Sequence, residues 1–269
     1  MPIITISRDL YSHGEEIARR VAGELGYECI GPEIIQRVCN SLEFPHSKLH
    51  KALHDSPTFL EHISAKKEQR LAMFRAVFSE YMCHDNVVYH GLAGHVFLSD
   101  VPNVVKVRVI ADLEERIREE MRRDGLTHKQ AKERLIRDDK ERAKWTKYLY
   151  GKDNRDPALY DLYLNLHNIS IDAAVAIIVG AAQVSTNGNM ELMRKKLKDM
   201  ALAAKIEARL LEAFPEVEAV ARDGEVFVSV QGSIVQEEKI TKKAKRMASA
   251  IEGIKNIKIG VAPSVFVPF

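Results

Sequence analysis

The stretch from Ile3 to Glu16 constrains this chain most. Ile3-Ile4-Thr5-Ile6 is a short apolar run that passes through Ser7-Arg8-Asp9-Leu10-Tyr11-Ser12-His13-Gly14 into an amphipathic pattern beginning near Glu15. A strand that feeds a helix through a tight turn aims several unpaired backbone N–H groups, and the positive end of the helix dipole, at one point. An anion fits there, and the backbone from Ser12 to Glu16, with Arg8 beside it, is the expected cradle for a phosphate. A loop built for triphosphate hydrolysis or transfer would carry a second glycine and then Gly-Lys-Ser/Thr. Here Tyr11 and His13-Gly14-Glu15-Glu16 stand instead, so both the lysine and the hydroxyl that would hold magnesium are missing.

The rest of the chain alternates. Ile17, Val21 and Leu25 carry a first helix to Gly26, Tyr27 to Ile30 reads as a second strand, Asn86 to Gly91 as a buried strand, and Val104 to Ile110 as another. The apolar run in the last suits a parallel sheet covered on both faces. The segment from Leu113 to Tyr148 is charge-dense and helical, broken at Gly125 and restarted by Thr127 as a cap. Ser170 to Ala182 gives a further helix, and Gln183 to Asn189 is small, polar and turn-prone. The expected division is therefore an α/β domain over 1–183 with helices on both faces of a parallel sheet, and a small α+β domain over 190–269. The second reads helix, strand, strand, helix, strand: Met190 to Phe214, Val217 to Ala221, Glu225 to Gln231 after an Asp223-Gly224 turn, Glu237 to Glu252, and Ile254 to Val261.

Composition narrows the function. Forty basic against 38 acidic residues leave a net charge of +2, so no one-signed field points to nucleic acid or an anionic membrane. Three cysteines without Cys-x-x-Cys spacing argue for a reducing, cytoplasmic setting. No apolar run is long enough to span a bilayer. His46, His50 and His54 fall four apart, but third and fourth ligands are not identifiable, so no protein-held metal is expected. Asp100 and Asp112, near strand ends, are the remaining magnesium positions.

Arg134, Arg137, Asp138, Asp139 and Arg142 concentrate guanidinium groups after the fourth strand. One reading is a solvated helix face with i,i+4 ion pairs. The other is a mobile lid, since arginine forks neutralise phosphoryl oxygens in a closed site. Three segments carry a resemblance that bears on the choice: Ile6-Ser7-Arg8 with Gly14-Glu15-Glu16-Ile17-Ala18, Arg137-Asp138-Asp139-Lys140-Glu141-Arg142, and Tyr150-Gly151-Lys152-Asp153 with Asp156 to Leu162. Together they resemble the cytidylate kinase-like family of nucleoside monophosphate kinases, over about residues 1–183. That resemblance implies a phosphoryl transfer from ATP, with magnesium, to a monophosphate of the CMP type. It also implies catalytic lid roles for Arg137, Asp138 and Arg142, and a donor-phosphate site at Arg8, Ser12, His13, Gly14, Glu15 and Glu16. Relatives commonly read Gly-Arg-Gly near the acceptor, where this chain has His90, Gly91 and His95; these histidines either replace the arginine as donors or are ordinary buried histidines beside a turn.

The strand Val226 to Gln231, Gly232, and the lysine-rich helix with Lys239, Lys242, Lys243, Lys245 and Arg246 resemble a BON-type binding module. Two functions stay open: a monophosphate kinase, or a catalytically weak sensor of a nucleotide or other phosphorylated small molecule whose C-terminal module binds a protein partner.

Overall fold

A computed structural model describes residues 2–31, 64–91, 93–185 and 189–263. The histidine series at 46, 50 and 54, and residues 186–188 of the expected linker, lie outside these.

The chain folds into two compact units. In the first, five strands form an all-parallel sheet: β1 (Ile3–Arg8), β2 (Glu28–Ile30), β3 (Val87–His90), β4 (Val104–Ile110) and β5 (Leu162–Asn165), in the order β2-β3-β1-β4-β5. The short β5 was not anticipated from the sequence, because its burial alternates and its central Leu164 is the only fully covered residue. Helix α1 (Gly14–Leu25) follows β1 and ends on Gly26 in the left-handed region, with Tyr27 N–H closing onto Ala22 O at 2.8 Å. Ile17 and Val21 of α1 pack with Ile4 and Ile6 of β1, Val107 and Val109 of β4, and Val175 and Ile178 of the helix over Ile171–Val184. Full burial of each such side chain stabilises the fold by about 1.5–3 kcal/mol.

The connections leave β1 on opposite sides. The chain passes from β1 outward to β2 on one flank, and from β3 across β1 to β4 on the other. Ligand crevices of open α/β sheets lie at such a switch point, outside the carboxyl ends of the strands. The turn after β1 is therefore placed by topology as well as by its own sequence.

The second unit unites α2 (Ser64–Met82) with residues 191–263. After α3 (Gly94–Phe97), α4 (Leu113–Asp124), α5 (His128–Tyr150) and α6 (Ile171–Val184) come α7 (Met190–Leu210), β6 (Val217–Arg222), β7 (Glu225–Gln231), α8 (Glu237–Ala248) and β8 (Asn256–Ala262). The helix-strand-strand-helix-strand order expected from sequence is present. β6 and β7 pair antiparallel through a turn in which Asp223 and Gly224 both have positive φ, and β8 adds in parallel to β7. Phe214, Val226, Val228, Val230 and Ala244 centre its core.

The two units do not follow chain order, and here the structure differs from a division into 1–183 and 190–269. Arg75 of α2 pairs with Glu207 of α7, Lys205 Nζ lies 2.9 Å from Glu80, and Gln69 donates to Ala208 O at 3.4 Å. Local periodicity assigns α2 to a helix but says nothing about which core it joins.

Candidate functional site

The turn after β1 is closed from within. Ser12 is fully buried, its hydroxyl within hydrogen-bonding distance of the carbonyls of Asp9 (2.9 Å) and Val109 (3.2 Å), and its N–H reaches Asp9 O at 3.4 Å. Tyr11 and His13 take positive φ on either side. Ser12 thus shapes the loop, and its own N–H is turned inward. The N–H groups of His13, Gly14, Glu15 and Glu16 have no acceptor among the described residues, as at the first turn of any helix.

Gly14 is required by Arg8. A β-carbon at Gly14 would sit 2.6 Å from Arg8 Cδ, so only glycine lets that side chain cross the first turn of α1. Burial pulls the Arg8 guanidinium below its usual value, while Glu15 opposes the shift. Glu15 lies 3.7 Å from Arg8 Nη2 and 3.1 Å from Arg19 Nη2. Partial burial raises the Glu15 carboxyl, but the hydrogen bond from Arg19 and the nearby cations outweigh it and hold the group below its ordinary range. Glu16 pairs with His13 at 3.3 Å. Glu15 is therefore neutralised by Arg8 and Arg19, and Glu16 lies beside the His13 ring.

These residues line a cavity of about 590 Å³, with Arg20, Arg123, Glu119 and Tyr11 completing its wall. Arg123 stacks over the Tyr11 ring at 5.4 Å. The volume lies in the range of small-molecule sites. Four arginines (Arg8, Arg19, Arg20, Arg123) face three glutamates, which leaves a modest cationic excess for a ligand bearing negative charge.

Beneath the loop runs a chain of ion pairs that sequence reasoning missed. Arg108 of β4 is buried and pairs with Asp9, while its other terminal nitrogen donates to Ser7 Oγ at 3.0 Å. Arg116 of α4, also buried, donates to Leu10 O at 2.7 Å, lies 3.7 Å from Asp9, and grips both oxygens of Asp139 on α5 at 2.9 and 2.8 Å. The expected lid helix is thus tied to the loop after β1 through Asp139 and Arg116. Arg137, by contrast, is exposed and among the described residues pairs locally with Asp138 at 3.4 Å; neither lines the cavity. The side chain of Arg142 is not among those described.

The positions expected on the acceptor side are all present at the end of β3, but enclosed. His90 is 1 % exposed and lies against Gly31, where a β-carbon would meet its Cε1 at 2.4 Å. Gly91 and Gly94 make room for the Tyr89 ring. His95 is buried with Nε2 3.1 Å from the Tyr160 hydroxyl, and burial, with Arg108 and Lys106 nearby, pushes its pKa down to about 3. Asp112 caps α4 by accepting Glu114 N–H at 2.8 Å, which accounts for it without magnesium. Among the described residues no cluster of three His, Cys, Asp or Glu side chains could hold a metal, and no helix is long and apolar enough to cross a membrane.

One signal for the missed residues lay in plain view. In Val104-Val105-Lys106-Val107-Arg108-Val109-Ile110 the polar residues alternate, so β4 is apolar on one face only, contrary to a strand buried in apolar surroundings on both.

The cytidylate kinase-like family model matches residues 3–168, the stretch that holds the sheet, the loop and the arginine helix. This chain belongs to the cytidylate kinase-like family. Similar solved structures include an uncharacterized protein from Eubacterium ventriosum ATCC 27560, 18% identical with TM-score 0.53 over 68% of this chain and 99% of that one. Others are shikimate kinase from Acinetobacter baumannii in complex with shikimate (13%, TM-score 0.40, 69% and 95%) and dephospho-CoA kinase from Campylobacter jejuni (16%, TM-score 0.35, 70% and 98%). At these identities the first shows the fold alone. No curated protein matches the chain. The family member is an α/β protein with a kinase-like, nucleotide-binding type of fold.

Proposed function

We propose that the cavity at the start of α1 binds the phosphates of ATP, and that the first unit moves a phosphoryl group to a nucleoside monophosphate of the CMP type. The observation that carries this reading is the row of acceptor-less N–H groups from His13 to Glu16 opening on a cavity walled by Arg8, Arg19 and Arg123. The donor set fits phosphate well and magnesium poorly. Ser12 faces inward, and the first turn of α1 offers Glu15 and Glu16 where a metal-holding hydroxyl is usual. Bound magnesium would neutralise phosphate charge and be held mainly by the nucleotide's own oxygens.

The residues of this chain divide the work. The amides of His13 to Glu16 orient the phosphates, and Arg8 neutralises them once Glu15 yields. Arg137 and Arg142, with Asp138 ordering Arg137, would approach on lid closure, hinged where Asp139 grips Arg116. His90, Gly91 and His95 form the acceptor side. Glu15 favours a second reading: because it already occupies Arg8 and Arg19, a sensor that binds a phosphorylated ligand and turns over slowly or not at all is also supported. In that case the BON-like unit at 190–269 would carry the response to a protein partner. Calorimetric titration with ATP, CMP and magnesium tests binding, and CMP- or UMP-dependent ADP release separates enzyme from sensor. Absence of ATP binding by the full chain would reject the kinase, and absence of binding to ATP, CMP and inorganic phosphate alike would reject both.

A further inference from the structure

The polar face of β1 and β4 holds a second feature, distinct from the phosphate cavity. Tyr160, just before β5, brings its hydroxyl to Asn154 O (2.7 Å), His95 Nε2 (3.1 Å) and Ser7 Oγ (3.4 Å). A hydroxyl has one proton, and a carbonyl can only accept, so Tyr160 donates to Asn154. His95 must then donate to Tyr160 through Nε2–H. A neutral imidazole carries one N–H, so Nδ1 is left as a bare acceptor. That nitrogen is buried and has no partner. Thr5 Oγ1, Arg108 Nε and Asn154 Oδ1 are likewise buried without a partner, on residues joined to His95 by the same face or by the same hydrogen bonds.

Native proteins leave few such atoms, because a buried donor or acceptor without a partner forfeits its hydration with no return. Four in one neighbourhood point to an occupant. Its chemistry follows from the inventory. Thr5, His95 and Asn154 can accept, Arg108 and Thr5 can donate, and a hydroxyl group meets both needs. A phosphate does not suit the place, since Arg108 is already neutralised by Asp9 and the imidazole is uncharged.

We propose that Thr5, His95, Arg108 and Asn154 form a subsite for a neutral, hydroxyl-bearing fragment of a bound small molecule, such as a sugar ring, with His95 Nδ1 as its acceptor. Asn154 stands in a turn where Arg155 pairs with Asp153 and Asp156 N–H reaches Asp153 O at 3.0 Å. The subsite rests on the proposed function in one respect: the hydroxyl would belong to the phosphoryl acceptor.

Imidazole ¹⁵N NMR of the full chain tests it, with His95→Gln to assign the signal. Gln keeps a donor toward Tyr160 and deletes the acceptor at Nδ1. The expected result is a bare Nδ1 in the free protein whose resonance moves on adding cytidine or CMP and not on adding inorganic phosphate. His95→Gln should weaken cytidine and CMP about tenfold, the loss of one hydrogen bond, with ATP binding unchanged. A protonated Nδ1, or a bare Nδ1 unmoved by saturating cytidine and CMP, overturns the subsite and leaves buried water as its occupant. A cytidine response without ATP binding upholds the subsite and rejects the phosphate-loop reading instead.

Discussion

Each unit sets a carboxylate against arginine, and the two do so differently. In the second unit Glu207 pairs with Arg75 and accepts the Ala219 N–H at 2.9 Å, a closed arrangement that leaves Arg75 Nε as that unit's only partnerless buried side-chain nitrogen or oxygen among the described residues. In the first unit Asp9 takes Arg108 and Arg116, but around them Thr5, His95 and Asn154 keep unmet polar atoms, and four loop amides stand open. Satisfied polarity fixes one packing and does little else. Unsatisfied polarity beside a crevice costs stability and persists where a ligand can repay it.

The difference can be broken most forcefully at Arg108. Arg108→Met should cost about 3 kcal/mol in denaturant melts by leaving Asp9 with only the more distant Arg116, and should also weaken phosphate-ligand binding, because the loop loses its anchor. Arg75→Met should cost on the order of 3 kcal/mol, reduced by the exposure of Arg75, and leave ligand binding untouched. If both variants lose binding equally, the contrast between a closed pair and a site-bearing pair is wrong. The same pair predicts that residues 190–269 expressed alone melt below the full chain, since they lack α2.

A smaller effect sharpens the chemistry of the polar face. The folded pKa of His95 is about 3 against an ordinary 6.5. Between those values the unfolded chain binds a proton that the folded one does not, so stability should fall as pH drops from about 6.5, by at most about 1.4 kcal/mol per unit. Arg108 and Lys106 reinforce this by repelling the protonated ring. His95→Gln should flatten that slope in pH-dependent melts; an unchanged slope would assign it to other groups.

At the loop, Glu15→Arg should tighten ATP by about 1–3 kcal/mol by replacing a competing carboxylate with a charge-assisted donor. Calorimetry showing no change would mean that Arg8 and Arg19 do not serve the ligand. The least effect is expected at Thr127, whose capping box with Gln130 starts α5; Thr127→Ala should cost about 1 kcal/mol of stability without touching ATP affinity.

Much of this was legible beforehand, and for local reasons. The strand-turn-helix at Ile3 to Leu25 announces itself through a change of apolar period, and Gly26, Thr127 and Asp223-Gly224 mark ends and turns through their own backbone preferences. The open amides at His13 to Glu16 lie where that geometry put them, though Ser12, expected among them, turns its N–H to Asp9 O. Asp9, Arg116 and Tyr160 could not be found this way, because their roles depend on partners about a hundred or more positions distant for Asp9 and Arg116 and 153 for Tyr160 and Ser7. Nor could the inward turn of Ser12, whose acceptor on Val109 lies 97 positions away.

The amino-acid sequence alone determined the alternating α/β order and the strand-turn-helix start at Ile3 to Leu25, since each arises from contacts within a few residues. Tertiary structure decided the rest: which strand lies beside β1, that α2 joins the second unit, that Glu15 turns to Arg8 and Arg19, and which nitrogen of His95 is bare. Those outcomes depend on burial and on hydrogen-bond partners brought together from distant positions, and the energy of a buried polar atom is set by the neighbours the fold supplies rather than by its own residue type.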